Sequence, residues 1–467
     1  MTYHKNQLNI TANEKLREKC GIFAICGYKG SLSAAYITYL GLLALQHRGQ
    51  ESAGMAYSNQ ENISVYKGMG LIENVFNHQK IDAITARTIL GHVRYSTTGP
   101  SLIANAQPLV ARTADKKGIA LAHNGNLVNY RRLYHKLLDE GHIFHTTSDT
   151  EVLLFYIHLF RQAGLVEAVS KTMHIVKGAY AAVVTDGNRL IAFRDPGGFR
   201  PLVIGNLDDA FVVASETAAL DTVNAQFIRE VQPGEIVTLE PQGLTSVIAA
   251  GPPRSSFCIF EYIYFARPDS IFNGLNVHSI RREIGVLLAR HYPPGMDMVI
   301  PVPDSGISAA LGLAGALGLP LEWAIYRNSY LGRTFIKPGQ NEREMAVRLK
   351  LSPIKDIVKG KKIIVVDDSL VRGTTCRILV QLLFAAGASE VHLCIASPPF
   401  KHPCYFGVDI PVTTELSACK GDNGNSSSAY GANFLIFAEP NDLYRASGLK
   451  KELLCSACFS GIYPDLD

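Results

Sequence analysis

The chain has 467 residues, about three times the roughly 150 of a typical single domain, with a formal net charge of +4 and only 18% charged residues. That balance lacks the electrostatic footprint of a nucleic-acid binder, while 47% hydrophobic residues with 40 Gly and 22 Pro exclude a disordered or fibrous chain. Nine cysteines, an odd number spread unevenly over the chain, do not form a secreted disulfide framework, so reduced thiols or metal ligands are expected.

Met1 to Lys19 carries no apolar core of a signal peptide, and the longest apolar run, Ala309 to Leu321, is broken by glycines. A soluble, cytoplasmic protein without membrane contact is expected. Up to residue 250, apolar runs at Gly21–Gly27, Thr88–Val93, Ala181–Thr185, Leu190–Phe193, Phe211–Ala214 and Ile236–Leu239 predict antiparallel strands. Helical stretches at Ala34–His47 and Thr150–Gln162 interrupt them, which predicts layered sheets covered by helices. The Pro/Gly/Ser cluster over 251–256 marks a domain boundary, placed at 252/253. Beyond it, Met298–Val302, a helix through Leu313, Lys362–Val366, a helix over Cys376–Ala386 and Val391–Ala396 alternate in the rhythm of a parallel α/β sheet. Ligands of such sheets sit where strands end and helices begin, so the residues after Val302 and Val366 are the first candidates.

Cys20 opens the first strand, ordinarily a core position. If residues 1–19 are removed as a propeptide, however, its free α-amine, with a pKa of roughly 7.7–8, is about one-tenth neutral at pH 7 and can take the thiol proton. Nucleophile and base then come from one residue. Four further strings accompany it: Gln46-His47-Arg48-Gly49-Gln50-Glu51-Ser52, Gly91-His92-Val93-Arg94-Tyr95-Ser96-Thr97, His123-Asn124-Gly125-Asn126 and Thr147-Ser148-Asp149-Thr150-Glu151. Taken singly, Asn124-Gly125 reads as a turn. Together the strings resemble the class II glutamine amidotransferase domain of the N-terminal nucleophile hydrolases, an αββα sandwich. The resemblance implies that Arg94 holds the α-carboxylate of glutamine and Asp149 its α-amine, with Asn124 and the N–H of Gly125 as oxyanion hole.

In the second half, Val365-Val366-Asp367-Asp368-Ser369-Leu370-Val371-Arg372-Gly373-Thr374-Thr375 leads from an apolar strand through two carboxylates into a small, hydroxyl-rich turn before a helix. Backbone N–H groups, the helix N-terminus and the two threonines make an anion cradle, and the carboxylates at its lip suit a sugar diol or a hydrated Mg²⁺. Read by its chemistry alone, the Asp pair could equally cap the helix. The string resembles the phosphoribosyl pyrophosphate signature of type I phosphoribosyltransferases. Pro303-Asp304-Ser305-Gly306 supplies a second turn, with Ser305 a further candidate at the diphosphate and its metal. The long polar loop over 330–350 reads either as a solvated basic loop or as a lid bringing Arg333 and Lys337 to the pyrophosphate.

A glutaminase half followed by a phosphoribosyl pyrophosphate half resembles the amidophosphoribosyltransferase family, as do Glu261 to Ser270 and Cys455 to Pro464. The resemblance covers nearly the whole chain. It implies an αββα glutaminase domain at 20–252 after a propeptide at 1–19, and an α/β phosphoribosyltransferase domain at 253–467 with a C-terminal extension. It further implies ammonia transfer from glutamine to phosphoribosyl pyrophosphate, giving 5-phosphoribosylamine in the first committed step of purine synthesis. Purine nucleotide feedback and a homotetramer are implied as well. Read alone, Cys455-x-x-Cys458 could be a redox pair or half a zinc site. With Cys258 and Cys404 it resembles the ligand set of the family's iron-sulfur branch, a 4Fe–4S cluster, with Zn²⁺ as the alternative. Lys19, His278 and the stretch 420–439 depart from the family's usual run. Another amidotransferase sharing only the first half, or a sensor that binds phosphoribosyl pyrophosphate without turning it over, would each explain one half and leave the other idle.

Overall fold

The computed structural model describes residues 20–464 apart from 60–61, 96–100, 113–117, 250–254, 331–344, 346, 372, 409, 411–415 and 417–426. The described residues form two compact units. One comprises those of Arg17–Arg281 with His402–Asp409 and Leu443–Asp467, the other those of Arg282–Lys401 and Ile410–Asp442.

The first unit holds thirteen strands in two antiparallel sheets: β1 (Gly21–Cys26), β2 (Ser52–Asn59), β3 (Asn62–Met69), β4 (Ile89–Arg94), β5 (Leu109–Arg112), β6 (Gly118–Leu127), β7 (Gly178–Thr185), β8 (Leu190–Arg194), β9 (Val203–Leu207), β10 (Ala210–Ala214), β11 (Gln226–Glu230), β12 (Glu235–Glu240) and β13 (Gly243–Ile248). One sheet runs β11-β9-β10-β1-β4-β2-β3 and the other β13-β12-β8-β7-β6-β5. Because side chains alternate across a strand, Ile22, Ala24 and Cys26 of β1 meet Ala120, Ala122, Ala181 and Val183 in the layer between the sheets. Phe23 and Ile25 point the other way, into the layer shared with helix Ala34–Ala44. Likewise Ile119 and Leu121 of β6 pack under helices Asp149–Leu159 and Leu165–Ile175. The order is helix, sheet, sheet, helix. Strands buried on both faces explain why these runs are continuously apolar rather than alternating.

Two of the three covering helices begin at serine caps: Ser33 accepts from the N–H of Tyr36, and Ser148 from that of Thr150. The second cap matters because it fixes Asp149 in the first turn.

The second unit is a four-stranded parallel sheet, in the order Met298–Pro301, Lys362–Asp367, Glu390–Ile395, Phe434–Phe437. Ile363, Ile364, Val365 and Val366 are fully buried, as a strand with cover on both faces requires. Helix Thr374–Ala385 buries Cys376, Leu379, Val380 and Leu383 against this sheet. The edge strand Phe434–Phe437 lies in the stretch whose sequence departs from the family pattern, and composition alone did not assign it. Among the described residues no helix is long and apolar enough to cross a membrane.

Candidate functional site

Cys20 precedes β1, is 5% exposed, and its Sγ lies 3.7 Å from the carbonyl oxygen of Tyr95. β1 pairs with β4, Gly21 opposite Val93, so the last residue of β4, Arg94, ends beside the start of β1. Arg94 is buried, and the Glu51 carboxylate stands 4.0 Å from its guanidinium. Across the sandwich, His92 on β4 contacts the carbonyl oxygen of His123 on β6 through Nε2 at 3.1 Å. The strand bearing Arg94 is thereby tied to the strand bearing Asn124. Burial pushes the His92 imidazole down to about 3, so it stays neutral.

Asn124 and Gly125 lie inside β6, not in a turn. Gly125 has φ +146, and a Cβ there would stand 2.0 Å from the Ala179 carbonyl oxygen, which excludes every other residue. The Nδ2 of Asn124 is buried and has no hydrogen-bond partner among the described residues. A buried donor left open is costly unless a ligand meets it. That is what an oxyanion donor requires. Asp149 is 2% exposed; its Oδ2 accepts from the Leu127 N–H at 2.9 Å and its Oδ1 lies 3.9 Å from His123 Nδ1. The five glutaminase candidates thus all fall in the first unit, immediately before β1, at the end of β4, inside β6 and at the start of helix Asp149–Leu159.

In the second unit, strands Met298–Pro301 and Lys362–Asp367 are parallel, with Pro301 opposite Val366, so both candidate turns leave the same, C-terminal end of the strands. Asp367 and Asp368 are 4% and 3% exposed. Oδ1 of Asp367 accepts from the Asp368 N–H at 2.9 Å, and Ser369 Oγ donates to Asp368 Oδ1. Gly373 caps the helix with φ +77, and Thr374 and Thr375 form its first turn. A Cβ on Gly373 would stand 2.2 Å from the ring of Tyr430, so the glycine serves both the left-handed turn and a close aromatic contact. The Oγ of Ser305 is buried with no hydrogen-bond partner among the described residues. Arg372, Arg333 and Lys337 lie outside the described residues, as do 1–19.

Cys258 and Cys455 sit opposite each other in a short parallel pairing of Phe257–Cys258 with Leu454–Cys455. Cys458 follows one turn on, its carbonyl accepting from the His402 N–H at 3.1 Å, and the Cys404 sulfur accepts from the Phe406 N–H at 3.4 Å. None of the four forms a disulfide among the described residues. Burial pushes Cys258 up to about 12, and burial together with Cys404, Cys258 and Cys455 pushes Cys458 well above the ordinary thiol value. The four therefore lie within electrostatic reach of one another. Among the described residues no three or more His, Cys, Asp or Glu side chains are gathered so as to hold a metal ion.

The segment bearing Cys404 adjoins the glutaminase strands. Asn126, two residues past Asn124, donates to the Tyr405 carbonyl at 2.9 Å, next to Cys404. The buried carboxylate of Asp195 accepts from the N–H groups of Tyr180, opposite Gly125, and of Gly197, whereas the Phe199 carbonyl accepts from the Cys258 N–H. Sequence reasoning gave no role to Asp195, Glu216 or Glu261. Their signal was faint: isolated acids beside continuous apolar strands, where a charge needs a partner.

Comparison with known proteins matches the chain to two domain families. Residues 92–222 match the model of a glutamine amidotransferase domain and residues 274–408 that of a phosphoribosyl transferase domain. The chain is 44% identical over 456 residues to the amidophosphoribosyltransferase of Bacillus subtilis, covering 96% of this chain and 94% of that one. The corresponding protein of Methanocaldococcus jannaschii is 42% identical over 462 residues, covering 95% and 97%. A solved structure of the B. subtilis glutamine phosphoribosylpyrophosphate amidotransferase, complexed with ADP and GMP, superposes with a TM-score of 0.89 at 43% identity, covering 95% of this chain and 97% of that one.

Proposed function

The chain belongs to the amidophosphoribosyltransferase family, and from that premise we propose which of its residues perform the glutamine-dependent amination of phosphoribosyl pyrophosphate that opens purine biosynthesis. The assignment divides the chain into a propeptide at 1–19, a glutaminase domain at 20–252 and a phosphoribosyltransferase domain at 253–467 carrying the cysteine extension.

Cys20 is the nucleophile and its α-amine, once freed, the base. The thiolate attacks the amide carbon of glutamine, the oxyanion is met by Asn124 Nδ2 and the Gly125 N–H, and the protonated amine passes its proton to the leaving ammonia. Arg94 and Asp149 select a ligand bearing both an α-carboxylate and an α-amine. The observation that carries this reading is the buried, unmet amide of Asn124 on a strand where only glycine fits next to it.

In the acceptor half, Gly373, Thr374 and Thr375 bind the 5-phosphate, with Ser369 and Arg372 beside them. Asp367 and Asp368 hold the ribose diol, and Arg333 and Lys337 neutralise the departing pyrophosphate. Mg²⁺, when bound, screens the charge of the diphosphate; the carboxylates of Asp367 and Asp368 and the open Oγ of Ser305 are oxygen donors of the kind it takes. Cys258, Cys404, Cys455 and Cys458, from three segments of chain, would hold a 4Fe–4S cluster that cross-links those segments; a structural Zn²⁺ is the second reading. Visible absorbance and acid-labile sulfide separate the two.

The relative crystallised with ADP and GMP supports purine nucleotides as regulatory ligands. A cytoplasmic homotetramer completes the proposal. Supplied with Mg²⁺, phosphoribosyl pyrophosphate and glutamine, the protein is expected to release glutamate and pyrophosphate in equal amounts. Glutamate release without pyrophosphate would refute the coupled reaction.

A further inference from the structure

The first unit contains a fully buried charge cluster that no step above uses. Glu216, immediately after Ser215 at the end of β10, is 0% exposed. Its carboxylate meets His47 Nε2 at 2.6 Å and Arg48 Nε, and accepts from Ser270 Oγ at 2.6 Å and the Arg267 N–H at 2.9 Å. Arg48, 1% exposed, reaches on to Glu261 Oε2 at 2.7 Å, and Arg200 contacts Glu261 Oε1 at 3.3 Å. Taking such groups out of water is rarely repaid in stability relative to apolar packing, so a role in fixing geometry is the better explanation.

The geometry it fixes is that of the glutamine site. Ser215 Oγ accepts from the Ile22 N–H at 2.9 Å while its own N–H donates to the Ile22 carbonyl at 2.9 Å, clamping β1 two residues after Cys20. Arg48 Cβ backs Gly21, where an added Cβ would lie 3.5 Å from it and 2.8 Å from Val93. Gly49 packs so tightly on β4 that a Cβ there would stand 2.5 Å from the backbone nitrogen of Arg94. Any shift of the 46–49 turn is therefore passed to the nucleophile strand and to the carboxylate-binding arginine. Interiors packed this closely transmit displacement rather than absorb it.

We propose that Glu216 is a positioning residue for the glutamine half-reaction: through His47 and Arg48 it holds the 46–49 turn against Cys20 and Arg94, and through Arg267 and Ser270 it ties that turn to the segment 261–270. The inference rests on the roles given above to Cys20 and Arg94.

The test uses the full chain. Glu216→Gln keeps the size and removes the charge. It is expected to lower kcat/KM for glutamine by roughly tenfold or more, mostly through KM, while ammonium-dependent pyrophosphate release stays within about twofold. Glu216→Asp, which keeps a carboxylate, should recover part of the loss. Equal loss of both activities, or unchanged glutamine kinetics, would overturn the proposal. Should Glu216→Gln fail to fold, Ser270→Ala removes one hydrogen bond to the same carboxylate and is expected to raise the glutamine KM alone; an unchanged KM overturns the proposal there too. Glutamine hydrolysis surviving in Cys20→Ala would instead refute the underlying site assignment, a different outcome from unaltered kinetics in a Cys20-dependent enzyme.

Discussion

Gly125 lies so close to Ala179 that a Cβ on it would stand 2.0 Å from the Ala179 carbonyl oxygen. Strand β6 can lie this close to β7 here only because residue 125 has no side chain. Gly125→Ala is expected to destabilise the protein by about 1–3 kcal/mol and to abolish glutamine use. Urea unfolding with parallel glutaminase assays would show it. A variant of wild-type stability and activity would mean that the strand relaxes freely.

Asn124 separates chemistry from stability. Its Nδ2 has no partner to lose among the described residues, so Asn124→Ala should change unfolding free energy by less than about 1 kcal/mol. Glutamine kcat should nonetheless fall by roughly 10²–10³-fold, the usual cost of an oxyanion donor. Ammonium-dependent turnover should persist.

Gly373 makes the matching statement for the acceptor half. With φ +77 and the Tyr430 ring 2.2 Å from the position of a Cβ, Gly373→Ala must unwind the turn or displace the ring. The KM for phosphoribosyl pyrophosphate should rise by roughly tenfold or more with either nitrogen donor, because both donors share that site. Tyr430→Phe keeps the ring and should leave it near wild type.

His92 gives a pH signature. Burial lowers its pKa from 6.5 to about 3, against the opposing hydrogen bond to the His123 carbonyl and with the Arg94 charge adding to the effect. Below pH 6.5 the unfolded chain takes up a proton that the folded chain refuses until about pH 3, so this group's contribution falls as pH falls through that window. Wild type should lose about 2 kcal/mol relative to His92→Gln between pH 7 and pH 5, measured by urea unfolding. An identical pH dependence in the two proteins would contradict the buried, neutral imidazole.

The strands were legible where burial on both faces made the sequence continuously apolar, as at Gly21–Cys26 and Lys362–Asp367, and the two helix starts near 34 and 149 were set by their serine caps. Asn124-Gly125 was not legible locally: the pair has turn chemistry, but the approach of Ala179 keeps it inside a strand. Glu216 was silent for a different reason. Its partners at 47, 48, 267 and 270 are distant in sequence, and nothing near residue 216 announces them. The strand Phe434–Phe437 was missed because its four residues follow a polar, glycine-bearing stretch that reads as loop. Arg333 and Lys337, read from a long polar loop, and Arg372, read within the phosphate string, lie outside the described residues.

If one thiol serves glutamine while a separate site serves phosphoribosyl pyrophosphate, Cys20→Ala separates the two activities. Glutamate and pyrophosphate would be followed together with either glutamine or ammonium chloride as nitrogen donor. The expected result is no glutamate and no pyrophosphate with glutamine, alongside near-normal pyrophosphate release with ammonium. Glutamate formation from glutamine by Cys20→Ala, or loss of the ammonium reaction in a folded variant, would contradict the account.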